Sequence, residues 1–414
     1  MSSPTRLPLG PGPQRALFVI ALGVMAAVSP MATDIYLASI PGAAEHFGTP
    51  ITAVQLSLTT YMLGMALGQF VLGPVSDRVG RYRLIVAGTV LFTLASAGIA
   101  LSTSIGMMLV LRAVQGIAGA AGVVVGRAMV SDTVSGVAAA KVYTLLGTIT
   151  SLAPIVAPLI GGVIASRAPW QVVFWVLTGF GLVMLAGVLG VLKETLPPER
   201  RSTAGPAEIF AGPLRMLREP VFMGWALSLA FAFGALFSYI SASSFVLQGI
   251  VGLSELGYSV VFAIGALCGM LGGLVNVRLL DLASPGAILR AALCLMAGVS
   301  LAGLILLLAG APHWTLVVHV VLAQSCMGFV MGNAIALAQV EARHRAGAGS
   351  AVLGLLQFLL GGIASPLSGL GGDGTAVPMA VCMLIFSALA LASAATALRL
   401  SRSRGPGGSP APQV

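Results

Sequence analysis

Residues 74–83 read PVSDRVGRYR, one aspartate and three arginines in ten positions. They are the only Asp, Glu, Lys or Arg between Glu45 and Arg112. Apolar runs flank the cluster on both sides, so charge here punctuates rather than decorates. The whole chain of 414 residues is built this way: 8% of residues are charged, 57% are hydrophobic and the mean hydropathy is +1.02. A soluble domain carries about a quarter charged residues. So little polar surface cannot cover a water-soluble particle of this size, and the solvent of most of the chain is lipid. The stretch 74–83 then reads as a short aqueous joint between two membrane spans, with Pro74 ending one helix and Gly73, Pro74 and Gly80 shaping the turn.

A hydrocarbon core of roughly 30 Å takes about 20 apolar residues per helix. Runs of that kind fall near 14–38, 51–74, 84–103, 105–130, 141–165, 170–192, 220–247, 257–279, 286–309, 314–338, 347–370 and 376–399. The predicted fold is an all-α polytopic membrane protein with twelve transmembrane helices. One long polar connection, 193–219, divides it into a six-helix half at 1–192 and a second at 220–400, followed by a disordered tail at 401–414. Two similar halves around a midplane cavity are a common transporter plan. The first apolar run lacks a small-residue cleavage site after it and is expected to be a retained helix.

With both termini in the cytoplasm, 18 of the 21 Lys and Arg residues fall on that side. Arg167 alone falls outside, and Arg112 and Arg127 fall within spans. This asymmetry follows the positive-inside pattern and supports count and orientation together. The net charge of +9 is therefore a topological signal and not a nucleic-acid footprint. Cys268, Cys294, Cys326 and Cys382 lie in apolar runs without paired spacing and read as buried thiols, and the four histidines have no metal-ligand spacing. No phosphate-binding loop, dinucleotide fingerprint or nucleophile elbow is visible. An enzyme is not expected. Neither ATP nor any cofactor is expected, which leaves an ion gradient as the energy source.

Of the twelve acidic residues, only Asp34 maps inside a span. An ionised carboxylate there is costly unless it is paired, hydrated or protonated. A group whose charge depends on which aqueous phase it faces suits a proton carrier. Arg112 in the fourth span reaches a comparable depth and is the natural partner; Gln115, one turn on, shares its face. Gly116, Gly119 and Gly122 follow at a spacing that lets a neighbouring helix approach closely. Pro154 and Pro158, then Gly161 and Gly162, predict a bent, closely packed fifth helix. Arg127 is read as snorkelling to the nearer surface. Tyr36, Tyr61, Tyr239, Trp225, Phe231, Phe233, Phe237 and Met62 are candidates to line an apolar cavity, and His319 is a minor rival to Asp34.

Several stretches together resemble the major facilitator superfamily, and within it the Bcr/CflA group of drug:proton antiporters: GPVSDRVGRYR, LVLRAVQGIAGAAG, APIVAPLIGG, MATDIYLASIP, YISASSFVLQ and ALAQVEARHRAGAGSAVLGLLQF. The resemblance implies proton coupling or substrate binding at Asp34, Arg112, Gln115, Tyr36 and Tyr239. It implies a conformational latch at Gly73, Asp77, Arg78, Gly80 and Arg81, closed in the outward-facing state. It implies an antiporter motif at Pro154, Pro158, Gly161 and Gly162. The chain departs from the group's pattern at Ala38, Tyr82, Ala157 and Gly265, the last where an asparagine is expected. The expected activity is export of small amphipathic drugs in exchange for protons from the bacterial inner membrane, by a monomer with no nucleic-acid partner. Export of an endogenous metabolite on the same fold is the alternative.

Overall fold

Lipid offers a helix backbone no outside partner, so each span must satisfy its own amides, and interruptions occur where side chains force them. The computed structural model describes residues 13–134, 136–203 and 206–403. Arg6, Arg404 and the remaining terminal residues lie outside these, as do the side chains of Arg15 and His344. Among the described residues, twelve helices are long and apolar enough to cross a bilayer, one for each predicted run.

The first span, α1, is composite: helical segments Pro13–Ala26 and Val28–Asp34, a 3-10 turn Leu37–Ser39, and a last segment Ile40–Phe47. Two prolines account for the breaks. Pro30 has no N–H to give the Ala26 carbonyl, and the first segment stops at Ala26. Pro41 stands at the start of the last segment, and the helix ahead of it tightens into the 3-10 turn. Asp34 therefore ends a helical segment inside the span.

The next five helices are α2 (Ile51–Val79), α3 (Arg81–Ala100), α4 (Ile105–Thr133), α5 (Gly136–Ala165) and α6 (Gln171–Val191). After the connection come α7 (Pro220–Ser244), extended by a π turn Phe245–Ile250, and α8 (Glu255–Leu279). Then follow α9 (Pro285–Leu308), α10 (Trp314–Glu341), α11 (Ala346–Ser368) and α12 (Val377–Ser403). The tail expected from 401 overlaps this last helix at Ser401–Ser403, and 404–414 lie outside the described residues. The connection is itself partly helical, over Pro206–Met216, and its Phe210 stacks on Phe70 of α2 at 5.5 Å.

Most of PVSDRVGRYR is helical rather than a turn. Pro74 lies inside α2, which continues to Val79; only Gly80 separates it from α3. A proline near the end of a span removes one backbone bond where headgroup water is close, and the helix survives it. Gly80 adopts φ +106°, a conformation that L side chains rarely take. A Cβ there would also collide with the Glu194 carboxylate.

Glycines set the helix crossings. A Cβ at Gly64 of α2 would strike the Ala113 carbonyl of α4, and one at Gly116 of α4 would strike the Tyr61 carbonyl of α2. The partners repeat at an offset of six helices: α2 packs on α4 as α8 does on α10, and α3 packs on α6 as α9 does on α12. The first six helices meet the last six along α2–α11 and α5–α8. Gly116→Val should wedge α2 from α4 and lower the apparent melting temperature in detergent, by an overpacking cost of about 1–3 kcal/mol or more. Gly298→Val, at a position with open space around it, should leave the melting temperature within a degree or two of wild type; equal effects would refute the crossing as the cause.

Candidate transport site

Arg112 of α4 is fully buried, and its charge cannot be shed. Three oxygens receive its N–H groups. Nη1 donates to the Ala32 carbonyl at 2.9 Å and to Gln115 Oε1 at 2.7 Å, and Nε points to the Ser57 carbonyl at 3.4 Å. Ala32 lies in the last turn of the segment ending at Asp34, where backbone carbonyls lack intrahelical partners and carry the negative end of the helix dipole. Aromatic faces complete the enclosure: the guanidinium carbon sits 4.7 Å from the ring centroid of Tyr61, 5.4 Å from Tyr36 and 5.7 Å from Phe174. Gln115 passes the network on, donating from Nε2 to Ser96 Oγ of α3 at 2.7 Å.

The ion pair expected between Arg112 and Asp34 is not formed in this conformation. The Ala32 carbonyl exposed by the break in α1 serves the cation instead, together with Gln115 and the Ser57 carbonyl of α2. Asp34 turns the other way, into a cavity, and is 5% exposed. Its Oδ1 lies 2.8 Å from Thr33 Oγ1, which also lies 3.0 Å from the Ser29 carbonyl. A hydroxyl has one proton and two lone pairs. With Asp34 ionised, Thr33 donates to it; with Asp34 protonated, the carboxyl donates to Thr33 and Thr33 donates to Ser29. One geometry thus accepts both protonation states.

The cavity holds about 720 Å³ and is lined from both groups of six helices. Asp34 is its only carboxylate among the described residues. At depth it is bounded by Asp34, Phe262 and Gln324; towards the face that carries the α2–α3 joint it runs out past Arg127, Tyr143, Gln339 and Ser350. The other end is shut. There Gln55 of α2 donates to the Ser241 carbonyl of α7, and Ser241 pairs with Ser368 of α11 at 2.9 Å. The conformation is open to one side only.

The helix-5 motif lies at the shut end and at the break in α1. A Cβ on Gly161 would run into the Ile35 carbonyl, next to Asp34, and one on Gly162 would run into Ser259 of α8. These two glycines let α5 touch both the broken helix and the opposite six-helix group. Pro154 lines the cavity, while Pro158 and Ala157 are buried against neighbouring helices.

The aromatic and cationic candidates divide. Met62, Phe233 and Phe237 line the cavity. Tyr36 and Tyr61 belong to the Arg112 enclosure, and Tyr239 stacks on Phe262 at 5.8 Å behind the wall. Trp225 and Phe231 lie away from the cavity, Phe231 against Phe386 of α12. Arg127, read as a snorkelling residue, stands exposed in the cavity wall. Phe262, Phe358, Gln324 and Gln357 also line it and were not singled out; isolated apolar or amide side chains within an apolar run give no periodicity to mark them.

The chain belongs to the Major Facilitator Superfamily. The family model matches residues 22–366, and the fold agrees with solved structures of that class. A D-xylose–proton symporter superposes with a TM-score of 0.74 at 12% identity, covering 93% of this chain and 97% of that one. A bacterial homologue of the human lysosomal transporter Spinster, inward-facing and unoccupied, gives 0.72 at 16% identity, covering 94% and 99%. Among relatives, an uncharacterized MFS-type transporter, YdgK, of Bacillus subtilis is 36% identical over 91% of this chain and 94% of its own length. A bicyclomycin resistance protein homologue of Haemophilus influenzae is 29% identical over 90% and 95%. Multidrug resistance protein MdtL of Klebsiella pneumoniae is 29% identical over 82% and 85%. These relatives agree with the resemblance to the Bcr/CflA group, and the protein is a multi-pass bacterial inner-membrane transporter.

In this superfamily member the residues around Gly80 form a clamp. Arg81 contacts Asp77 Oδ1 at 2.6 Å, Asp132 Oδ2 of α4 at 3.1 Å and Ser76 Oγ. Its backbone N–H donates to Glu194 Oε1 at 2.9 Å, and Glu194 pairs with Arg201 at 3.3 Å. Gly73 lies 3.2 Å, from a Cβ built on it, to Val124 of α4, and Arg78 is exposed. All the clamp's partners come from the first six helices and the segment that follows them, although the cavity is open on this face. Asp132, Glu194 and Arg201 are the members that sequence reasoning missed, because each lies more than 50 residues from Arg81.

Arg112→Lys tests the enclosure. An ammonium lacks the planar fork that serves Ala32 and Gln115 together and stacks on three rings. The variant should lose about 1–3 kcal/mol of stability, read as a lowered melting temperature in detergent; unchanged melting would mean the carbonyl contacts do not matter.

Proposed function

We propose that this protein is a proton-driven exporter of small amphipathic compounds, drugs among them, that works by alternating access. The observation that carries the reading is Asp34: a lone carboxylate in the cavity wall, bonded only to a hydroxyl that suits either of its protonation states. The aromatic lining of the same cavity, Phe233, Phe237, Phe262 and Phe358, suits an apolar or aromatic cargo body. The names of the Haemophilus and Klebsiella relatives support a drug cargo.

The positive-inside asymmetry puts the open face of the cavity in the cytoplasm, so the conformation is inward-facing. Cargo enters there, Asp34 releases its proton to the cytoplasm, and the halves rock about the α2–α11 and α5–α8 contacts. Facing outward, Asp34 reloads a proton as cargo leaves. Gly161 and Gly162 make the outer seal, and the Arg81 clamp fixes the cytoplasmic ends of the first half as a rigid unit that meets the second half in the outward-facing state. The gradient supplies the energy, with no ATP or other cofactor, and one chain suffices.

Asp34→Asn should abolish uncoupler-sensitive export of ethidium or chloramphenicol from an efflux-deficient bacterial host, a loss of at least about tenfold in initial rate, while membrane insertion stays at wild-type level. Wild-type resistance in the variant would remove Asp34 from the mechanism.

A further inference from the structure

α10 crosses α8 backbone to backbone at Gly328, where a Cβ would strike the Gly269 carbonyl. One turn earlier on α10, Gln324 lies in the cavity wall and is 8% exposed. Its terminal amide fills a notch that exists because residue 265 on α8 is glycine: a Cβ there would collide with Gln324 Oε1 and stand 2.9 Å from Cδ. In that notch Gln324 Oε1 is buried against α8 without a hydrogen-bond partner, which leaves Nε2 as the end of the amide that serves the cavity. Apart from Gln357, the wall from the last six helices is otherwise largely aromatic and aliphatic, and Gln339, nearer the mouth, already donates its Nε2 to Ser350 at 2.7 Å, with only its oxygen unpartnered. An amide N–H without a partner in an apolar wall is costly where a leucine would pack for nothing, so Gln324 Nε2 calls for a ligand.

We propose that Gln324 is a second polar anchor for cargo, seated by Gly265 and lining the same cavity as Asp34 from the other group of six helices. With its oxygen seated in the notch, the amide offers the cavity its N–H donors, so it recognises a hydroxyl or carbonyl oxygen of the cargo. The preferred substrates are then compounds with a neutral hydrogen-bonding group in addition to an aromatic body, rather than simple lipophilic cations. The inference rests on the drug-export reading and narrows its substrate class.

Equilibrium dialysis of the purified full-length protein with two probes tests it. Chloramphenicol carries hydroxyls and an amide; tetraphenylphosphonium carries a charge and aromatic rings but no hydrogen-bonding group. Gln324→Leu should weaken chloramphenicol binding by roughly 3–10-fold, the scale of one hydrogen bond, and leave tetraphenylphosphonium within about twofold. Gly265→Ala, which expels the amide from its notch without altering Gln324, should also weaken chloramphenicol selectively, and Gln324→Asn should lose less than Gln324→Leu. The two further variants keep the test in force if Gln324→Leu is not monodisperse. Wild-type binding of the probes with equal losses for both, or with no loss for either, overturns the inference alone. A wild-type protein that binds neither probe overturns the drug-export reading and the inference with it.

Discussion

A permanent positive charge with no access to water must be balanced by the fold, and Arg112 is where this protein does so. The guanidinium is held by the helix-end carbonyl of Ala32, the Ser57 carbonyl, one glutamine and three aromatic faces rather than by a carboxylate, and its Nη2 has no hydrogen-bond partner. That choice governs its neighbours. α1 must be broken for the Ala32 carbonyl to lie at a helix end, and Pro30 and Pro41 break it. Gln115 must be held by Ser96. Tyr36, Tyr61 and Phe174 must close around the cation. Had Arg112 taken Asp34 as its counter-ion, the carboxylate would be locked in a buried pair and costly to protonate or release. Satisfying the arginine with backbone leaves Asp34 to the cavity.

The same economy of polar groups shapes the boundary between the two six-helix groups. A transporter must seal and unseal without exposing backbone to lipid, and glycines allow contacts that are tight yet carry no side chain to disentangle. Gly161 and Gly162 bring α5 against the α1 break and against α8, so a motion of either group is felt one residue from Asp34. At the other face, the Arg81 clamp binds α2, α3, α4 and the segment after α6 into one body. Rigid groups with glycine seams between them are what rocking motion requires.

Much of the candidate site was legible because charge in lipid is expensive: Asp34 and Arg112 stand out by rarity, and both occupy central positions. Their relationship was not legible. Depth along each span put them level, and opposite charge suggested a pair, but the direction each side chain takes depends on the break in α1. Gln115 was placed on the right face and serves the arginine, not the cargo. Tyr36 and Tyr239 were drawn to the cavity by the signature stretches around them, yet they stand behind its wall. Arg127 went the other way, exposed in the cavity wall beside Tyr143 of α5.

Hydropathy and the spacing of arginines were enough to determine twelve spans, the division after the sixth and the side on which positive charge gathers, because lipid penalises every misplaced polar residue independently of its neighbours. What only the tertiary structure decided are relations between spans: that Pro74 is helical and Gly80 alone makes the joint, that the Arg81 clamp recruits Asp132 and Glu194, that Gln324 fills the space Gly265 leaves, and that the cavity is open at one end. Each of these depends on which helix crosses which and how closely, a matter of glycine contacts and shared hydrogen bonds between residues far apart in sequence. Transfer from water to lipid acts residue by residue and is written along the chain; packing acts between helices and appears only when they are assembled.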